Sequence, residues 1–159
     1  MSILEMQVNA LMRLCLAEQE PERQRAKQEL KALLRQHGPE VLDPEDAIRQ
    51  ILLELGAPDH LIGHPYVVRG ILLVVSNQMF LNNITFGLYP QLAAEFDTTA
   101  ARVERSIRHL VEITWERGDV DILNRYFGNT VSPNRGKPTN GEFIARIANV
   151  VKRRMKAAA

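Results

Sequence analysis

The sequence predicts an all-α fold: a multi-helix domain containing a helix-turn-helix, preceded by an N-terminal helical hairpin. Three observations carry that expectation. Apolar residues recur every three or four positions in the long segments, as in Val103, Ile107, Leu110, Val111 and Trp115. Helix starts are written in side-chain chemistry at Asp43-Pro44-Glu45-Asp46 and at Thr139-Asn140-Gly141-Glu142. The one run that suits a buried strand, Val67-Val68 with Val74-Val75, has no second convincing strand to pair with.

Taken in order, residues 2–18 form an amphipathic helix with Leu4, Val8, Leu11, Met12 and Cys15 on one face. A second helix runs from about Pro21 to Gln36, with Ala26, Leu30, Leu33 and Leu34 as its stripe, and Gly38-Pro39 ends it. These two make a hairpin over residues 1–40 whose narrow stripes must pack on each other, on the remainder or on a second copy. In the domain expected over residues 43–156, Asp43 caps a helix that starts with Pro44 and buries Ile48, Ile51, Leu52 and Leu55 up to Gly56. Tyr66 to about Asn77 is apolar enough to be a central helix despite Arg69 and Gly70. Ile84 to Tyr89 is a short helical piece broken at Tyr89-Pro90. After Gly118, Asp119 to Phe127 forms a helix burying Val120, Ile122, Leu123 and Phe127, and Gly128 to Pro138 is a polar loop. The last helix starts at a capping box, Thr139 with Glu142, and buries Phe143, Ile144, Ile147, Val150 and Val151.

Between Pro90 and Gly118 the pattern is helix, tight turn, helix. Leu92, Ala93 and Phe96 mark the inner face of the first helix, and Asp97, Thr98 and Thr99 separate it from the second. Alanines at 93, 94, 100 and 101 allow a close crossing, and Thr98 or Thr99 can cap the second helix. That helix carries Arg102, Arg105, Arg108 and His109 away from its apolar stripe. Arginine suits guanine because its planar fork donates to O6 and N7 together, and Glu104 can accept from cytosine N4 or orient a neighbouring arginine. The plain alternative is a solvated charged face with intrahelical pairs such as Glu104–Arg108.

Bulk composition bounds the remaining choices. With 159 residues, 45% hydrophobic and 25% charged, the chain is an ordinary globular protein, and a net charge of +1 excludes a strongly basic packaging protein. The charge is graded: −2 over residues 1–50, −3 over 51–134 and +6 over 135–159. Arg146, Lys152, Arg153, Arg154 and Lys156 in that basic end can track a phosphate backbone or compensate a helix dipole. A single cysteine, Cys15, rules out an intrachain disulfide and a Cys-rich zinc site, and it reads as a core thiol rather than a nucleophile. The N-terminus lacks a secretory pattern and no run is long enough to span a bilayer, so a cytoplasmic location is expected. His37, His60, His64 and His109 lie in separate segments without metal-ligand spacing and read as surface or loop residues. Gly136-Lys137 is followed by Pro138, which fails the phosphate-loop pattern. No enzyme activity, cofactor or metal is expected.

Thr98 to His109, Trp115-Glu116-Arg117-Gly118, Phe127 to Ser132 and Lys137 to Ala145 resemble the carboxyl-terminal DNA-binding domain of the sporulation-initiation response regulator. The resemblance covers roughly Ile48 to Lys152. It implies about six helices, with a recognition helix over about 99–117 in the major groove of a TGTCGAA-like box. It further implies base or nearby phosphate contacts by Arg102, Glu104, Arg105, Arg108 and His109, and a backbone clamp at Lys137, Thr139 and Asn140. Thr99 and Lys152 complete the expected backbone set. The segment Gly118 to Val131 resembles the part of the family that contacts the polymerase sigma subunit, with Phe127 and Val131 as the contact residues. The departure is at the amino end, where a hairpin stands in place of an α/β receiver domain. Met1 and the coherent helices favour a receiverless paralogue over a fragment. The sequence thus points to a double-stranded DNA-binding transcription regulator associated with the bacterial nucleoid, with dimerisation through the hairpin in view. The alternative is a helical adaptor that binds a paralogous regulator or another partner through the hairpin.

Overall fold

The computed structural model describes residues 3–16, 19–37, 43–128 and 136–158, which contain helices and no strand. The chain forms two compact units, Met1–Val41 and Leu42–Ala159. The first is a pair of helices, α1 (Ile3–Leu16) and α2 (Glu20–His37), packed on each other. Ala10 and Ala26 are buried, small residues that let two backbones approach, and Arg13 forms an ion pair with Glu29 at 3.0 Å. The expected stripe of α1 is not the buried seam throughout, since Val8 and Met12 are 46% and 53% exposed. A two-helix hairpin has one seam, and these two side chains lie off it. The side chains of Leu4, Leu11, Cys15 and Leu34 lie outside the described residues.

The second unit contains α3 (Pro44–Leu55), α4 (Gly63–Ser76), α5 (Met79–Asn82), a π-helical turn (Ile84–Leu88), α6 (Tyr89–Glu95), α7 (Ala100–Arg117), α8 (Val120–Phe127) and α9 (Asn140–Ala158). Asp43 caps α3 by accepting from the Glu45 N–H, and Pro44 occupies the first turn, as its missing donor allows. The helix ends at Gly56, whose φ of 79° is the left-handed conformation that glycine adopts without a Cβ penalty. Ile48, Ile51, Leu52 and Leu55 are fully buried. α4 is the central helix, packed against α3, α7 and α9 and burying Tyr66, Val67, Val68, Ile71 and Val74. Its one charged residue, Arg69, reaches outward to Glu95 of α6 through bonds of 2.7 and 3.2 Å.

Two local findings differ from the sequence expectation for physical reasons. Tyr89-Pro90 does not interrupt the chain; the π-turn runs directly into α6. Proline lacks an N–H and its ring crowds the carbonyl four residues back, and the wider π-turn, with Leu88 N–H donating to Asn83 O at 3.1 Å, accommodates that. In α8, Val120 at the first helical position is 68% exposed, whereas Tyr126, absent from the expected core, is 8% exposed. Tyr126 sits on Glu54 of α3, to which its hydroxyl donates, and accepts from Arg154 of α9 at 3.0 Å. Burial pushes the Tyr126 phenol up, and its hydrogen bond holds the Glu54 carboxyl down.

Candidate nucleic-acid interface

The helix-turn-helix comprises α6, the turn Phe96–Thr99 and α7. α6 closes with Phe96 N–H donating to Leu92 O at 3.0 Å, the last α-helical bond, and Thr98 N–H donating to Ala93 O at 2.9 Å, the six-to-one bond of a Schellman ending. Asp97 takes the left-handed position there, with φ of 50°. Thr99 is extended and its hydroxyl accepts from the Arg102 N–H at 3.2 Å, so Thr99 rather than Thr98 caps α7. Of the four alanines, Ala93 is buried and Ala100 half-buried, while Ala94 and Ala101 face solvent. Phe96 is 38% exposed and packs edge-on to Tyr66 at 4.9 Å.

α7 buries Val103, Ile107, Leu110, Val111 and Thr114, with Trp115 half-buried against the core. At about 3.6 residues per turn, Arg105 falls opposite that line, with Arg102 and Arg108 to either side. Arg102, Arg105, Arg108 and His109 are all exposed. Glu104 is half-buried and forms an ion pair with Arg108 one turn on, so one of the three guanidinium forks is held in place by a carboxylate of its own helix.

α7 stands between two grooves. One, of about 510 Å³, lies between α7, the π-turn and the segment leading into α9, and includes Thr85, Glu104, Arg108, Glu112, Lys137 and Asn140. The other, of about 570 Å³, lies between α7 and the segment His60–Gly63, and includes Arg105, Arg108, His109 and Glu112. α7 thus forms a ridge that carries Arg105 and Arg108 outward between the two grooves. The second trough depends on Gly63. A Cβ there would lie 2.2 Å from the Ser106 carbonyl oxygen, so the start of α4 meets the backbone of α7 directly.

The residues expected to clamp the DNA backbone are placed unequally. Lys137 borders the first groove and pairs with Glu112 at 3.0 Å. Thr139 and Glu142 form the expected capping box: the Thr139 hydroxyl accepts from the Glu142 N–H at 3.2 Å, and the Glu142 carboxylate accepts from the Thr139 N–H at 3.0 Å. The Asn140 amide points inward, donating to the Tyr89 hydroxyl at 3.0 Å and to the Glu104 carbonyl oxygen at 3.1 Å. Lys152 borders neither groove, and its ammonium is bonded to Gln78.

Phe127, expected as a polymerase contact, is a core residue. It is 1% exposed, edge-on to Trp115 at 5.0 Å and stacked on Phe143 at 5.5 Å, which joins α7, α8 and α9. Its ring is covered by those neighbours and presents no surface to a partner. Val131 lies outside the described residues.

Two features of this unit were not anticipated from sequence. Glu112 borders both grooves, on the same outward line as Arg105 and Arg108, and the spacing 105, 108, 112 is the signal that identifies it. His64, read as a surface or loop histidine, is 7% exposed at the start of α4, and burial holds its imidazole below the ordinary histidine range. Only the packing of α4 reveals that. Among the described residues no group of histidine, cysteine and carboxylate side chains is arranged to hold a metal ion, and no helix is long and apolar enough to cross a membrane. Residues 48–151 match the family model described as sporulation initiation factor Spo0A C terminal.

Proposed function

The chain belongs to the family of Spo0A carboxyl-terminal domains, DNA-binding effector domains of sporulation transcription regulators, and from that premise we propose that it reads a specific duplex sequence through α7. The observation that carries this reading is the outward line of Arg102, Arg105 and Arg108 on a helix flanked by two grooves. In this reading α7 lies in the major groove of a short box resembling TGTCGAA. Arg102, Arg105 and Arg108 donate to guanine edges, Glu104 aims Arg108, and His109 reaches the adjoining base or phosphate. Thr99 and Lys137 meet the sugar-phosphate strands, and the basic end of α9 adds a salt-dependent attraction without sequence information.

Binding of the full chain to a duplex with the box and to a scrambled duplex, at one salt concentration, tests this. Preference for the box is expected. Arg105→Ala and Arg102→Ala each lower that preference by about 5- to 150-fold, the range of one bidentate arginine–guanine contact. Equal, weak affinity of the wild-type chain for both duplexes refutes the reading.

A contact with the polymerase sigma subunit falls, on the same premise, to the exposed side of α8, where Asp121, Asn124 and Arg125 lie. Arg125→Glu then lowers box-dependent transcription with box affinity unchanged, and equal transcription by the two proteins rejects that assignment. Exposure of Val8 and Met12 on the hairpin favours one further role, association with a second copy of this chain. Sedimentation of the full chain and of residues 43–159 decides it, since identical, monomeric behaviour removes that role.

A further inference from the structure

The amide of Asn140 joins three elements at one point. Asn140 opens α9, and its Nδ2 donates both to the hydroxyl of Tyr89, which opens α6, and to the main-chain oxygen of Glu104 in α7. Tyr89 is 6% exposed, and burial pushes its phenol up, so it is a neutral, fixed acceptor over the whole physiological range. Glu104 O also belongs to the α7 ladder at the turn that ends with Arg108, which makes it a shared acceptor in the middle of the outward arginines. Asn140 itself is fixed from behind by the capping box of Thr139 and Glu142.

We propose that Asn140 is a positioning residue for sequence reading: its amide sets the rotation and axial register of α7 relative to α6 and α9, and it does not serve as a phosphate clamp. A helix rotates or slides most easily where only apolar side chains hold it, because such contacts are non-directional. Two directional bonds from one amide, one of them to the backbone of α7, remove that freedom at the turn from which Arg105 and Arg108 project. Reading a base pair requires a guanidinium placed to within a fraction of an ångström, whereas attraction to phosphates does not. Loss of the amide therefore degrades discrimination and leaves general attraction intact.

The proposal rests on the reading of α7 as the DNA-reading helix, and its test separates the two. Affinities for box and scrambled duplexes are measured for the wild type, Asn140→Ala, Tyr89→Phe and the double variant, with thermal melts and salt dependence alongside. Asn140→Ala is expected to weaken box binding about five- to tenfold, the scale of one or two neutral hydrogen bonds, with scrambled binding and salt slope unchanged. Tyr89→Phe, which keeps the ring and removes the acceptor, loses part of the same preference, and the double variant loses no more than Asn140→Ala alone. Asn140→Asp faces the Glu104 carbonyl with a carboxylate and loses at least as much.

An equal fall for both duplexes identifies a phosphate contact and overturns the proposal, as does full box preference in a folded Asn140→Ala. If Asn140→Ala does not fold, an unaltered preference in Tyr89→Phe overturns it. A wild-type chain without box preference refutes the DNA reading instead. Hydrogen exchange at Arg108 N–H then decides the positioning role alone: faster exchange in Asn140→Ala or, failing that, Tyr89→Phe supports it, and unchanged exchange overturns it.

Discussion

His64 couples the core of the second unit to pH. It is buried at the start of α4, and desolvation lowers its affinity for a proton below that of an unfolded histidine. Above the unfolded value of about 6.5 both states are neutral, and the native state keeps its full stability. As pH falls through that value the unfolded chain takes up a proton that the folded chain resists. Stability therefore declines from about pH 7 downward and levels off once the folded group also protonates. Urea melts between about pH 7.5 and 5 should show this decline, and His64→Gln should flatten it. Equal slopes for the two proteins would remove His64 as the cause. The outward arginines were legible in sequence because a helical repeat fixes which residues oppose Val103, Ile107 and Leu110. The burial of His64 was not, because it depends on which helices cover α4; the burial of Phe127 was legible in its helix, and it conflicts only with the polymerase-contact role that the resemblance implied. A ring in a short amphipathic helix is visible from sequence, but the Trp115 and Phe143 rings that enclose it come from α7 and α9.

The turn between α6 and α7 and the contact between α4 and α7 together hold the reading helix in place. Asp97 occupies a left-handed position that costs a Cβ-bearing residue about 1 kcal/mol relative to glycine. Asp97→Gly is expected to stabilise the domain by about 0.5–1 kcal/mol, read as a rise in thermal midpoint, with box preference unchanged. A fall in midpoint would mean that the Asp97 side chain contributes more than its backbone conformation costs. Gly63→Ala has the opposite sign. Its methyl would meet the Ser106 carbonyl, a backbone atom that moves only if α7 moves, so a loss of about 1–3 kcal/mol is expected together with a fall in box preference. Unaltered stability and preference would show that α4 and α7 separate without cost. Helix starts were readable wherever a side chain supplies the first bonds, as at Asp43, Thr99 and Thr139. α5 was not, because four residues carry no amphipathic repeat, and Ile84–Leu88 was readable only as a short helical piece, its π character following from relief of the Pro90 ring.

At the scale of the whole molecule, the core of Leu42–Ala159 is built from its own helices, with Ile48, Ile107, Phe127 and Phe143 among its fully buried side chains. Residues 43–159 are expected to fold alone and to keep the box preference of the full chain, measured by melting and duplex binding. A fragment that melts without cooperativity would show that the hairpin supplies part of the core. The central claim is that α7 reads base edges in the major groove, and methylation interference tests it most directly. Methylation of guanine N7 lies in the major groove and blocks an arginine fork, whereas methylation of adenine N3 lies in the minor groove. The account predicts that N7 methylation at one box guanine abolishes wild-type binding, and that Arg105→Ala becomes indifferent to methylation at a guanine that matters to the wild type. Interference confined to adenine N3, or the same N7 pattern in wild type, Arg102→Ala and Arg105→Ala, would contradict it.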